Sequence, residues 1–78
     1  MTVAAQIRAA RHLLNLSQSG LATATGLSLP TIKRAESERN VPVSAEAISA
    51  VRGALEAAGI EFIEENGGGP GVRLRRGS

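Results

Sequence analysis

The 78-residue chain contains no cysteine, tryptophan, tyrosine or aspartate, and only one histidine and one phenylalanine. Without cysteine there can be no disulfide, no thiolate zinc site and no thiol chemistry. One histidine and no aspartate cannot assemble a Ser-His-Asp triad or a histidine-rich metal site. Paired glutamates could in principle exchange protons, but so small a chain offers no evident pocket to hold them. The expectation is a protein without a catalytic site, metal or cofactor. Long apolar runs are missing too. None approaches the roughly 20 residues of a membrane span, and the N-terminus has no secretory apolar stretch. A soluble, cytoplasmic protein without a membrane partner is expected.

The shortage of aromatics also thins the core, which must be built from Leu, Ile, Val and some of the thirteen alanines. Chains below about 80 residues without disulfides or metals often gain stability by oligomerising, so a homodimer is expected.

Charge is small in sum and uneven in placement. Nine bases and seven glutamates leave a formal +2. Residues 1–40 carry +3, residues 41–65 carry −4 and residues 66–78 return +3. That polarity suggests a basic working face and an acidic structural back.

Apolar spacing predicts a helix over 2–14, capped by Thr2, with Val3, Ile7, Ala10 and Leu14 on one stripe flanked by Arg8 and Arg11. Ser17 caps a second helix over 18–25, and Gly26 ends it. Ser28 caps a third, from Leu29 to about Glu36, with Pro30 in its first turn where the missing N–H costs nothing. After a polar loop over 37–43, a fourth helix runs from Ser44 to about Ala58, with Ala47, Ile48, Val51, Ala54 and Leu55 on one face. The period then changes to that of strands, over 60–65 and 72–75, joined through a glycine-rich loop. Antiparallel pairing would bring Glu61 and Glu65 near Arg73 and Arg75. The loop Gly67–Gly71 is not followed by a helix or by Lys-Ser/Thr, so it is read as a turn and not as a phosphate loop. His12 is read as a boundary residue, and Ser17 and Ser28 as caps.

Two short helices joined through Gly26, with small Ala22 where they cross, follow the physical recipe of a helix-turn-helix. The stretch Leu16–Glu36, LSQSGLATATGLSLPTIKRAE, resembles the Cro and phage-repressor-like helix-turn-helix family, the XRE family. The resemblance covers about residues 4–58 and rests on Arg11, Ser17-Gln18, Leu21-Ala22, Gly26-Leu27-Ser28, Ile32 and Glu36. It implies a mainly α fold, a four-helix lambda-repressor-like bundle, here followed by a C-terminal β-hairpin. It further implies a transcriptional regulator, usually a repressor, of bacterial or mobile-element origin, binding a double-stranded operator with inverted repeats as a dimer.

Several roles carry over by position. Gln18 matches a residue used on backbone phosphate. Ser28, Leu29, Pro30, Thr31 and Arg34 match the groove-facing positions of the recognition helix. A guanidinium can bond guanine O6 and N7 together, so Arg34 is the best base reader. Leu29 and Pro30 can offer only apolar contact, such as to a thymine methyl, and Thr31 could do either. Lys33 and Arg39 suit phosphates. Arg11 and Glu36 match a partly buried ion pair, a structural role. Gly20 departs from the family pattern, at an expected cost of about 1 kcal/mol relative to alanine.

Residues 1–59 are thus read as the DNA-binding domain and 60–78 as a hairpin and tail that mediate dimerisation through Ile60, Phe62, Val72 and Leu74. On that reading, removing 60–78 leaves a monomer that binds operator poorly. The alternative is an antitoxin or antiactivator-circuit component whose main partner is a protein, docked on the acidic strand Glu61–Glu65.

Overall fold

The computed structural model describes residues 3–39, 41–65 and 67–75. Among them are four helices, α1 (Ala4–Leu13), α2 (Gln18–Thr25), α3 (Leu29–Ala35) and α4 (Ala45–Ala57). Two strands follow, β1 (Ile60–Ile63) and β2 (Gly71–Leu74), so the domain is mainly helical with a terminal antiparallel pair.

Serine hydroxyls start three of the helices. Ser17 Oγ accepts the Gly20 N–H at 2.9 Å, Ser28 Oγ that of Thr31 at 3.2 Å, and Ser44 Oγ that of Ala47 at 3.1 Å. Each bond satisfies a donor that the helix itself leaves unpaired. The cap expected of Thr2 lies outside the described residues. Val3 holds the cap position of α1 instead, and its N–H donates to Gln6 Oε1 at 2.9 Å.

Backbone sign changes punctuate the helices where the sequence places turn residues. Asn15 stands at φ +55° between α1 and α2, and Gly26 at φ +74° ends α2 with its N–H on the Ala22 carbonyl. At Gly20 a Cβ would stand 2.7 Å from Leu16 Cδ1, the tip of a flexible side chain that would have to shift to admit it. Leu16 packs against the core from the α1–α2 connection, over the first turn of α2.

The core is Ile7 and Ala10 of α1, Leu21 of α2, Ile32 and Ala35 of α3, Val51 and Leu55 of α4, and Ile60 and Phe62 of β1. The strands pair as Ile60 with Leu74, Glu61 with Arg73, Phe62 with Val72 and Ile63 with Gly71. That register puts Ile60, Phe62, Val72 and Leu74 on one face. The hairpin packs on α1 through β2 and on α4 through β1.

This placement takes Ile60 and Phe62 out of the dimer interface expected of them. Ile60 is 0% exposed and Phe62 8% within the single chain, and Val72 packs against the same core. Leu74, 46% exposed, is the one member of the set left largely open. The thin helical core does cover the hairpin, because the hairpin is part of it. The boundary drawn after residue 59 therefore does not separate two units: the last helix and the first strand fill one interior.

Candidate nucleic-acid interface

Glu36 closes α3 and is 4% exposed, a burial a carboxylate tolerates only when its acceptor sites are filled. Arg11 fills them bidentately, with Nε on Oε2 at 2.7 Å and Nη2 on Oε1 at 3.0 Å. Gln18 Nε2 adds a third bond to Oε1 at 3.2 Å. Arg11 Nη1 also donates to the Leu16 carbonyl, and Arg8 Nη1 to the Glu36 carbonyl. One carboxylate thus ties the first helix to the α2–α3 pair. Gln18, expected on backbone phosphate, has its amide nitrogen bonded to this carboxylate, which also ties α2 to α3.

With Glu36 fixed, the outer side of α3 is set. Ile32 and Ala35 are buried, whereas Pro30, Lys33 and Arg34 are exposed and Leu29 and Thr31 half-buried. Arg34 Nη2 donates to Thr31 Oγ1 at 3.2 Å, and Thr31 Oγ1 is 2.8 Å from Ser28 Oγ. Arg39 follows on the exposed loop, where its backbone N–H meets Ser37 Oγ. The structure therefore places Ser28, Leu29, Pro30, Thr31, Lys33 and Arg34 at the start of α3 or along it, and Arg39 on the exposed loop that follows. Arg34 also borders an open surface depression of about 460 Å³ shared with Ala4, Ala35, Ser37, Val41, Pro42, Val43 and Ile48.

The other described arginines are engaged. Arg8 reaches Glu38 at 3.2 Å, Arg52 pairs with Glu56 and Glu64, and Arg73 pairs bidentately with Glu61 at 3.0 Å. Arg75 donates to the Glu56 carbonyl at 2.8 Å. Hydrogen bonds from Arg73 hold the Glu61 carboxyl below its ordinary range, with the nearby positive charge adding to the effect. Glu65 does not meet Arg75, as the hairpin expectation had it; its carboxylate accepts the Gly69 N–H and braces the loop. The hairpin's acids thus answer the chain's own donors, which weakens the case for this strand as a dock for a basic protein.

By contrast, no carboxylate of the described residues pairs with Lys33, Arg34 or Arg39. These three cations, gathered on and just after α3, define the chemistry of this face. They can hold phosphate oxygens, and Arg34 has the planar fork that fits a guanine edge.

Some contacts have weak or no sequence signals. Buried Gln6 sends Nε2 to the carbonyls of Ile63 and Gly71, at 3.1 and 3.0 Å, and so fastens both strands to α1. A glutamine on the inner stripe of an amphipathic helix is the one hint of it. Arg52 lies 4.8 Å above the Phe62 ring centroid, a contact between positions ten apart with no local pattern.

The chain matches no protein-family model, and no curated protein is significantly similar to it. No helix among the described residues is long and apolar enough to cross a membrane.

Proposed function

We propose that the protein is a sequence-specific DNA-binding regulator of the lambda-repressor-like helix-turn-helix kind, with α3 as its recognition helix. One observation carries this: of the four described cations without a carboxylate partner, Lys33, Arg34 and Arg39 lie on or just after α3 and Arg75, bonded to the Glu56 carbonyl, lies elsewhere, whereas Arg8, Arg11, Arg52 and Arg73 are neutralised within the chain. Unpaired bases on an exposed helix are what a phosphate backbone requires, and α3 is braced from behind by Arg11, Gln18 and Glu36. In this reading α3 enters the major groove, Lys33 and Arg39 take phosphates, and Arg34 reads a base edge. Three cations per subunit give weak binding alone, so two copies act together, their recognition helices roughly 34 Å apart over an inverted repeat. Repression by occupancy of the operator is the outcome, with autoregulation its simplest form.

Fluorescence anisotropy with duplex DNA at several salt concentrations tests this. Each phosphate contact contributes about 0.9 to the slope of log affinity against log salt. Lys33→Gln with Arg39→Gln should lower that slope by nearly 2 per subunit. Wild-type binding that is absent at low salt, or indifferent to salt, would overturn the proposal.

A further inference from the structure

We infer that Thr31 is a positioning residue for base readout, aiming Arg34 at a guanine beside which the operator half-site carries a thymine. The inference rests on the DNA-binding reading and specifies its target.

The argument begins with a chain of hydrogen bonds along the outer side of α3. The Thr31 backbone N–H donates to Ser28 Oγ, the two hydroxyl oxygens lie 2.8 Å apart, and Thr31 Oγ1 accepts from Arg34 Nη2 at 3.2 Å. The guanidinium is thereby linked to a fixed point, the capped first turn of its own helix. An exposed arginine otherwise samples many rotamers, and each must be given up on contact with DNA. The bond to Thr31 uses one of five N–H donors, and guanine O6 and N7 require two, so the fork retains what the base needs. With its oxygen accepting from Arg34 and hydrogen-bonded to Ser28, the Thr31 hydroxyl is occupied. The hydroxyl is thereby drawn to Arg34 and away from a base edge, a role additional to the base hydrogen bond and the methyl contact that its chemistry offered.

The neighbouring positions say what else is read. Half-buried Leu29 and exposed Pro30 present no side-chain donor or acceptor, and the Pro30 ring removes the backbone N–H as well. The base feature in the major groove that fits such a surface is the thymine methyl. Pro30 and Arg34 are separated by about 6 Å along the helix axis, the span of about two base-pair steps when the helix follows the groove.

The experiment starts from a random-sequence duplex pool selected with wild-type protein. The selected half-sites should contain a guanine with a thymine within about two steps. Replacing that guanine by 7-deazaguanine, which lacks N7, should weaken wild-type binding and leave Arg34→Ala unaffected. Deoxyuridine in place of the thymine should weaken binding in both. Thr31→Val, which keeps the branched shape and removes the hydroxyl, should lower the preference for guanine over adenine about 2- to 10-fold. Thr31→Ser should restore it, and binding to non-specific DNA and its salt slope should stay as in wild type. A selected site at which Thr31→Val keeps full guanine preference overturns the positioning role alone. Half-sites without the guanine and thymine overturn the target. A pool that yields no enrichment removes the DNA-binding reading itself and the inference with it.

Discussion

Truncating Glu36 probes the joint on which the α3 surface depends. Glu36→Ala leaves Arg11, whose side chain is 12% exposed, without its bidentate partner and strips Gln18 of its acceptor. Breaking one side of such a pair costs about 3–5 kcal/mol, because the remaining charge stays out of water uncompensated. At 0.05–0.15 kcal/mol per residue, a domain of this length has a total stability of only about 4–12 kcal/mol. The single change therefore removes a quarter of the stability at the least. With a urea m-value near the low end of about 1–3 kcal/mol/M, the midpoint should fall by molar amounts. Circular dichroism at 222 nm follows the transition, with trimethylamine oxide added where the variant is unfolded in water. Replacing both partners by apolar residues of similar volume, Arg11→Met with Glu36→Leu, should recover most of the loss, since no orphaned charge remains. A cost below about 1 kcal/mol for Glu36→Ala, or a double variant as unstable as the sum of the singles, would refute the reasoning.

Three further outcomes are expected. Removing the chain after Gly59 should abolish cooperative thermal unfolding, because Ile60 and Phe62 are core residues; a folded monomer by sedimentation and calorimetry would contradict that placement. Phe62→Ala should cost about 3–5 kcal/mol in chemical denaturation, and Phe62→Leu distinctly less. Because Arg73 lowers the Glu61 carboxyl in the folded chain, its contribution to the hairpin is present above the unfolded carboxylate range and is lost as pH falls through the lower folded value. A carboxyl-carbon NMR titration should show that lowering in the wild type and lose it in Arg73→Gln.

The elements that could be read from the sequence are those with local causes. Ser17, Ser28 and Ser44 announce helix starts because a cap bonds within three residues, and Gly26 announces an end because its backbone sign is a property of glycine. The antiparallel pairing and the meeting of Glu61 with Arg73 were legible from opposite charges, whereas the exact register was not, since Glu65 turns to the Gly69 N–H and not to an arginine of β2. The partner of the hairpin was not. Alternation of Ile60 with Phe62 shows that one face must be covered, but not whether α1 and α4 or a second copy covers it. Gly20 read only as a cost, since the nearness of Leu16 to it is a three-dimensional fact. At the α3 surface, exposure followed from helical spacing, whereas the bond from Arg34 to Thr31 depends on rotamers that spacing does not set.

The sharing of one interior by α1 and β1 also has a consequence in time. Ile7 and Phe62 lie fifty-five positions apart, so at synthesis rates of about 5–20 residues per second the first must wait roughly 3–11 s for the second to be made. During that interval the inner stripe of α1 is without the strands that cover it. Alanine-rich helices are a mild form of this exposure, since small side chains offer little surface for stray association. The same scarcity of large apolar groups that makes the finished core thin makes the unfinished chain easier to keep from aggregating.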